Sequence, residues 1–437
     1  MDWSNCEWTI EIFTNQGEKR YRVVETIKSV QHESFIRSIM IERSLNVNEE
    51  FLDSAQDVIN ILYPILKFGG LWPLDPPGFR YLFFLVPYII TKLFGFIDLI
   101  NVFGNLELTI ENIAEETLVI VTVSRIFWVR FSPLLPSLIN TVSDGMRAEN
   151  FDSDEERQLY LEYNVTTKMV VKFVIAMGMA GTIAYHVRPL IFRMIASFQG
   201  ETNISYVLPY RAHLFFDYQH LGFYSLVYLL QSITIFIHFF VTATIGLLFM
   251  LCFHCCGELS ALQHKIKTID FDEQLMTHNL PRPDHVFKDF LQRHMKIIEI
   301  AKNIDKASQV VLLEELATMT IILALSSYCA MLNVTNAEVF LSFSMWCTST
   351  LSIIYAYCYI GEALMTESFN VQQAYYASRW YDFSQEYKRS LAICMIGSSR
   401  PLILSGGGFY TYSKFSFTAI LKSAAAYLSM LRNLAEP

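Results

Sequence analysis

Cys252, His254, Cys255 and Cys256 form a short cluster of metal-ligating residue types. Thiolate and imidazole groups are the usual ligands of zinc, but paired zinc ligands are normally separated by two or more residues. The spacing here is tighter, and the cluster directly follows a long apolar run. We therefore interpret these residues as buried or juxtamembrane thiols, with palmitoylation as the alternative, and predict no metal site and no cofactor.

Ionisable side chains within apolar segments form a second group of candidates. Lys92 and Asp98 lie in the first long apolar segment, and Glu107, Glu111 and Glu115 recur every four residues further on. Such residues are costly in a membrane and mark functional sites by default. We interpret Lys92 and Asp98 as an internal pair, with a snorkelling lysine as the alternative. The glutamate stripe is expected to face water.

The last apolar segment carries a polar stripe along one side. Tyr412, Ser416, Ser423 and Tyr427 fall at helical spacing, and Lys422 lies near the middle of the segment. Residues three and four apart share one face of a helix. From this pattern alone, the stripe fits a water-filled conduit as well as it fits close helix packing through small residues.

Motifs typical of enzymes are missing from the sequence. There is no phosphate-binding loop, no GxSxG, no HExxH and no dinucleotide fingerprint. Gly406-Gly407-Gly408 is not followed by Lys-Ser or Lys-Thr and is interpreted as a flexible break before the last helix. The net charge of -9 gives no basic surface for nucleic acid.

Composition indicates a membrane protein. The 437 residues are 53% hydrophobic and only 17% charged, whereas about a quarter of the residues of a soluble protein are charged. A crossing helix needs about 20 apolar residues, and the stretch at 112–136 is weakened by Glu115, Glu116 and Arg125. The seven predicted spans cover residues 81–103, 112–136, 170–193, 222–251, 311–332, 339–361 and 411–433.

Lysine and arginine set the predicted orientation. With the N-terminus inside, nearly all of these residues outside the spans fall in cytosolic segments, and the outer segments hold only Arg211 and Arg432. This asymmetry follows the positive-inside rule and predicts an inner N-terminus and an outer C-terminus, the reverse of a G-protein-coupled receptor. Asn203 would then lie in the outer loop as a glycosylation acceptor.

The chain divides accordingly into six regions. The first region lacks the basic start and cleavage site of a signal peptide and is interpreted as a cytosolic segment. The predicted regions are the cytosolic segment 1–80, spans one to four at 81–251 with outer loop 194–221, an inner loop with a helical extension at 252–310, spans five and six at 311–361, an inner anchor region at 362–408, and the last helix with a short outer tail at 409–437.

The C-terminal third carries motifs in a recognisable order. "YAYCYIGEAL" ends the sixth span, then come Trp380, the basic pair Lys388-Arg389, and "RPLILSGGGFY" before the last span. This order resembles the insect odorant receptors, and Gly70-Leu71-Trp72-Pro73 resembles a motif that precedes the first span in hymenopteran members. Gly406 stands where the family usually has alanine.

The resemblance implies a fold and a function. It implies an all-α membrane protein of seven transmembrane helices with an inner helical anchor domain and a pore lined by the last helix. The chain would be an odorant receptor of the plasma membrane of sensory neurons, opened by a small volatile or lipid-like odorant. Its partner would be the odorant receptor co-receptor, with which it would form a heterotetrameric cation channel. The co-receptor has a longer second inner loop than 252–310, which favours a tuning subunit here.

The resemblance also implies site residues. The family's pocket lies in the outer half of the bundle between spans two, three, four and six. At that depth the matching positions are Gly178, Gly181, Tyr185, Ser232, Phe236, Phe343, Trp346 and Thr348. On the pore-lining face and at the gate they are Ser423, Tyr427, Met430, Asn433 and Leu434. Gly178 and Gly181 are expected to leave room for ligand.

Three other classes stay open. A gustatory-type chemoreceptor channel would carry the ending T-Y, five apolar residues and Q-F, which Thr411-Tyr412 begins but Ser413 and Lys414 break. A metabotropic seven-helix receptor would have the opposite orientation and an N-P-x-x-Y motif in the last span, which is absent. A transporter built from inverted repeats is disfavoured because no internal repeat is evident.

Overall fold

Helices dominate the computed structural model, which describes residues 8–15, 18–25, 51, 54–76, 78–200, 205–268, 283–378, 380–382 and 385–435. The helices are α1 (54–68), α2 (Arg80–Asn101), α3 (Leu106–Phe131), α4 (Leu135–Gly145), α5 (Asp154–Phe198), α6 (Leu221–Gln231), α7 (Ile233–Thr268), α8 (Pro283–Leu332), α9 (Ala337–Ala377), α10 (Gln385–Gly397) and α11 (Lys414–Ala435). Two short 3₁₀ turns lie at Ala148–Asn150 and Trp380–Asp382.

Within the described ranges, four strands form two hairpins. β1 (Trp8–Asn15) pairs antiparallel with β2 (Glu18–Glu25), from Trp8 opposite Glu25 to Asn15 opposite Glu18. This hairpin belongs to a separate compact unit that ends at Asp53. The second hairpin joins β3 (Ser405–Gly406) to β4 (Tyr410–Thr411) just before the last helix.

Each predicted span is largely helical, and the fourth is divided between α6 and α7 at Ser232. Among the described residues, five helices or continuous helix pairs are long and apolar enough to cross a membrane, and the pair α3–α4 makes six if it is counted as one span. The side chains of α11 are described only in part, so this helix does not enter that count. Large apolar side chains on the outside of α2, including Phe83 and Ile100, are more than half exposed, as expected where lipid replaces water.

The second span ends earlier than the sequence indicates. α3 stops at Phe131 rather than at residue 136, and the chain bends by 67° into α4. Ser132 is extended, with ψ of 123°, because the residue before a proline, here Pro133, is pushed out of the helical region. A second proline, Pro136, then occupies the first turn of α4, where its missing N–H costs nothing.

α7 is the central helix, and small residues bring α5 against it. Nearly every side chain of α7 from Ala243 to Leu259 is buried. A Cβ added to Gly246 would lie 3.1 Å from Cγ1 of Val171, and one added to Gly257 would lie 2.9 Å from the ring of Tyr160. Small residues allow backbones in a membrane to approach closely, and here they bring α5 and α7 into close contact.

A buried ion pair joins three helices at the centre of the bundle. Arg125 of α3 is fully buried, and its Nε and Nη2 donate to both carboxylate oxygens of Glu315 in α8, with an Nη2–Oε2 distance of 2.6 Å. Arg125 also donates to the Tyr357 hydroxyl of α9. We refer to Arg125, Glu315 and Tyr357 as the central ion pair cluster. It ties α3, α8 and α9 together.

The hairpin before α11 is tied to the same region. The Tyr412 hydroxyl donates to the carbonyl oxygen of Leu312 at 2.8 Å, and the Tyr412 ring lies 5.8 Å from that of Tyr357. The backbone N–H of Ser405 donates to Oδ1 of Asp305 at 2.7 Å. The glycine run is therefore an ordered turn rather than a flexible break: Gly407 and Gly408 adopt φ of 63° and 78°, which glycine adopts without steric cost.

Two motif residues of α9 hold the start of α11. A Cβ at Gly361 would lie 2.2 Å from the carbonyl oxygen of Tyr412, so only glycine admits the hairpin at this point. Glu362 accepts a hydrogen bond from the Lys414 N–H at 3.0 Å, which places a carboxylate at the helix N-terminus where the dipole favours it. Beyond this point, α11 packs against α8 and α9 on one side, with Phe417 against Tyr355 at 5.3 Å.

Replacing Glu315 with Gln should destabilise the bundle strongly. The change leaves the buried Arg125 without its counter-charge, and breaking a buried pair costs about 3–5 kcal/mol. Thermal unfolding of the detergent-solubilised protein measures the loss. The matched control is Asp144→Asn, which breaks the exposed pair with Arg147 and should cost about 1 kcal/mol or less. Equal effects of the two variants would contradict this account.

Replacing Gly407 with Ala should strain the second hairpin. The new Cβ would lie 2.7 Å from Cδ2 of Leu313 at a positive φ, and such strain costs about 1–3 kcal/mol. The control is Gly397→Ala, where no atom lies within 4 Å of the added Cβ. A lower unfolding temperature for Gly407→Ala alone is the expected result, and unchanged stability would show that the turn is not constrained.

Candidate functional site

Two glutamates of α3 point into the bundle at the end where α3 begins and α5 ends. Glu115 is buried and accepts a hydrogen bond from the Tyr185 hydroxyl. Glu111 pairs with Arg188, with 3.1 Å between Oε1 and Nη2. The expectation that this stripe faces water is wrong for Glu115, because its buried carboxylate is held by Tyr185. Glu111 pairs with Arg188, one turn beyond Tyr185 on α5, and stays partly exposed. The Glu107 side chain lies outside the described residues.

Lys92 and Asp98 do not pair with each other. Lys92 is buried between Glu115 and Glu116, with Nζ–O distances of 3.6 and 4.0 Å. Asp98 instead accepts from Nε of Arg211 at 2.9 Å. The predicted internal pair is wrong because six residues on a helix correspond to about 120° of rotation, which turns the two side chains to different neighbours.

The segment between α5 and α6 packs over Lys92 and the glutamates that contact it. Gln231 of α6 accepts from the Tyr210 N–H at 3.1 Å and donates to its carbonyl oxygen at 2.9 Å, which fixes the segment against the bundle. The Tyr210 ring lies under the Lys92 ammonium, 4.6 Å from its centroid. Burial raises the pKa of the Tyr210 phenol well above its usual range, so this group stays neutral. The segment therefore acts as a fixed wall rather than a loose loop.

A cavity of about 290 Å³ opens beside the Glu111–Arg188 pair. Its walls come from the start of α3, the end of α5, the segment after α5 and the start of α9. Among the described residues that line it, six of eleven are apolar, and the charged groups are confined to three side chains. The lining residues are Glu111, Arg188, Pro189, Phe192, Arg193, Ala196, Ser205, Val207, Val339, Ser342 and Phe343. Ligand sites commonly combine such an apolar wall with a few polar groups.

Three of the residues predicted to bind ligand lie at or next to this cavity. Phe343 lines it directly and is 3% exposed. Tyr185 and Trp346 contact each other edge to face, with ring centroids 5.8 Å apart. The Arg188 guanidinium, which does line the cavity, lies 4.6 Å from the centroid of the Tyr185 ring. Tyr185 and Trp346 thus support the cavity wall.

The other predicted ligand residues lie elsewhere. The space beside Gly178 is filled, since a Cβ there would lie 2.3 Å from Cγ2 of Thr242. Ser232 is engaged by His186 at 3.0 Å between Oγ and Nε2. Phe236 is 45% exposed and packs against Phe84. Gly181 and Thr348 are exposed on the outside of the chain.

The residues that line the cavity with charge, Arg188 and Arg193, were missed by sequence reasoning. Both lie within the apolar stretch that ends α5. For Arg188 the sequence offers a signal in residue spacing. Arg188 follows Tyr185 by three residues on α5, and Glu115 follows Glu111 by four on α3, so each helix presents a pair on one face that complements the other. An arginine in a membrane helix is itself a marker of a site.

The structure describes only some of the side chains at the predicted pore-lining and gate positions of α11. Ser423 and Met430 are exposed, Met430 by 61%. The side chains of Tyr427, Asn433 and Leu434 lie outside the described residues, as does Asn203. Tyr412, which begins the polar stripe in the sequence, is not on this face: it precedes the helix and is buried in the hairpin contact with α8.

The cysteine cluster lies in the packed interior. Cys252, Cys255 and Cys256 are at most 1% exposed on α7, and His254 shares a hydrogen bond with the Tyr160 hydroxyl at 2.8 Å. The interpretation as buried thiols is confirmed. Within the part of the chain that the structure describes, no group of three or more metal-ligating side chains converges.

Comparisons with known proteins identify relatives of this chain. A family model described as 7tm Odorant receptor matches residues 106–425. The odorant receptor coreceptor of Harpegnathos saltator is 28% identical over 148 residues, 34% of this chain and 31% of that protein. Odorant receptor 22c of Drosophila melanogaster is 22% identical over 293 residues, 64% of this chain and 70% of that protein. The chain thus matches only about a third of the coreceptor's length.

The fold is similar to that of the insect olfactory receptor OR5 from Machilis hrabei, whose structure was solved in complex with eugenol. The TM-score is 0.69 at 15% identity, with 87% of this chain and 100% of that one covered. The family model matches well over half of the chain, and this structural neighbour extends the likeness to the overall architecture. The protein therefore belongs to the 7tm odorant receptor family, which is a family of receptors and not of enzymes, and has the fold of a seven-helix membrane protein.

Proposed function

We propose that this chain is the odorant-binding subunit of a ligand-gated cation channel formed with the odorant receptor co-receptor in the plasma membrane. The family supports the receptor role, and the cavity between α3, α5 and α9 supports the binding role. The cavity is the single observation that carries the proposal, because it combines an apolar wall with few polar groups. On the proposed topology, with the N-terminus inside, the cavity opens to the outer side.

The proposed gating path begins at the cavity. An odorant that binds one of two bundle packings more tightly shifts the population toward it. α3 carries both the cavity residue Glu111 and the central residue Arg125, and α9 carries both Phe343 and Tyr357. A small displacement of either helix therefore reaches the central ion pair cluster and, through Tyr412, the start of α11.

The proposed gate lies at the far end of α11. Ser423 and Tyr427 would face the conduit, and Met430 and Leu434 would form an apolar constriction with Asn433 beside it. Such a constriction closes a pore by dewetting. One side of α11 packs on its own bundle and the other is exposed, which supports a position at an axis shared by four subunits. The inner parts of α8 and α9 and helix α10 would hold the subunits together.

Co-expression should produce ligand-gated current. Whole-cell current is recorded from cells with this chain alone, the co-receptor alone, and both, over a panel of volatile and lipid-like compounds. Current that some compounds evoke only from the pair is expected. Current from this chain alone would favour a homomeric channel or a co-receptor role. An extracellular N-terminal tag without channel current would instead favour a metabotropic receptor.

Replacing Trp346 with Leu should change the ligand range and spare assembly. Trp346 braces Tyr185 behind the cavity wall, so its truncation should shift the half-maximal concentration of bulky odorants by roughly tenfold. The control is Met345→Leu, whose side chain is 54% exposed on the outside of α9. Co-immunoprecipitation with the co-receptor checks assembly. Loss of assembly in both Trp346→Leu and Tyr185→Leu would count against this placement.

A further inference from the structure

Among the described residues, the cavity has one positive charge that no carboxylate pairs with. Of its three charged lining residues, Glu111 and Arg188 neutralise each other at 3.1 Å, and Arg188 also donates to Oγ of Ser342 at 3.2 Å. Arg193 has no such partner: among the residues that the structure describes, no carboxylate forms an ion pair with it. Its guanidinium carbon lies 3.6 Å from the centroid of the Tyr206 ring, which holds the side chain flat against an aromatic face.

The Arg193 guanidinium also has unused hydrogen-bonding capacity. Its Nη1 is buried and has no hydrogen-bond partner within the described part of the chain. A buried donor without a partner is costly, and a guanidinium presents its donors as a rigid fork that matches a carboxylate. The Arg193 guanidinium therefore favours a ligand that carries a planar, anionic hydrogen-bond acceptor.

The rest of the lining defines the remainder of the ligand. Phe192, Val207, Val339 and Phe343 form an apolar surface beside the two arginines. The volume of about 290 Å³ is at the small end of ligand sites, which span about 300–1,000 Å³. A molecule with one charged end and a short or medium hydrocarbon body fits this combination of charge, apolar wall and size.

We propose that the receptor's ligands are amphipathic carboxylic acids, with the carboxylate bound by Arg193 and the hydrocarbon body held among Phe192, Val339 and Phe343. This assignment rests on the proposed odorant-binding function and names its ligand class. Stacking on Tyr206 pre-orients the guanidinium, so little side-chain entropy is lost when the acid binds. The Glu111–Arg188 pair positions α3 against α5 and leaves Arg193 as the recognition group.

The test compares acids with their neutral counterparts on the assembled receptor. Straight-chain carboxylic acids, their methyl esters and the corresponding alcohols are applied to cells that express this chain with the co-receptor. Acids should be the more potent series. Arg193→Gln should raise the half-maximal concentration of acids by roughly tenfold or more, the worth of a charge-assisted hydrogen bond, and leave esters and alcohols within about threefold.

Two further variants control for structure. Arg193→Lys keeps the charge without the fork and should retain part of the response to acids. Met194→Leu changes the adjacent, outward-facing residue, which is 58% exposed, and should leave every response unchanged. If Arg193→Gln weakens acids and esters equally, or if the wild type responds to esters and not to acids, the acid assignment is overturned while the odorant-receptor function stands.

A binding measurement separates failure of this inference from failure of the channel proposal. The purified complex with the co-receptor is heated with and without each acid, since a bound ligand raises the unfolding temperature. A shift with acids in the wild type and not in Arg193→Gln supports the assignment even if no current is seen. Absence of a shift with acids, together with a shift for esters, overturns it.

Discussion

The buried pair between Arg125 and Glu315 is the constraint on which the bundle depends. A guanidinium this deeply buried is tolerated only if its counter-charge and further acceptors stay in place, so α3, α8 and α9 must keep one relative arrangement around it. The hairpin before the last helix then packs on two of these helices, α8 and α9, through Tyr412. Gly361 and Glu362, which the sequence displays only as part of a motif, complete that contact: one removes a side chain so that the backbone fits, and the other accepts the first free N–H of the helix. The motif therefore encodes a single contact, the one between α9 and the start of α11.

Much of the fold follows from the sequence because the spans are dictated by simple hydropathy. The seven apolar stretches all become helices, and the extensions of α7 and α8 beyond the predicted spans follow from the continued apolar spacing. The errors have two causes, one local and one distant in the sequence. Pro133 ends α3 early through a local steric rule that could have been applied. The glycine run, however, is ordered by Asp305 and Leu313, which are about a hundred residues away, and no local pattern announces them.

The candidate site was harder to predict because a membrane helix is apolar all round. Hydropathy therefore does not reveal which face points inward, and equal depth placed Phe343 and Thr348 together although one is buried and the other exposed. Glycine is similarly ambiguous: the space beside Gly178 is occupied by the Thr242 side chain. The charged residues were the better guide. Glu111, Glu115, Tyr185 and Arg188 meet across the α3–α5 interface, since unpaired they would be too costly to bury.

The one-sided attachment of α11 has a mechanical consequence. The helix is anchored at its first residue by Glu362 and at the preceding hairpin, while its described side chains beyond Phe417 are mostly exposed. It is 22 residues long, or about 33 Å at 1.5 Å per residue. A pivot at the anchored end therefore acts as a lever: a tilt of about 5° there carries the opposite end through roughly 3 Å. Displacements too small to disturb the packed hairpin are enlarged along the helix, and the proposed gate lies where the displacement is greatest.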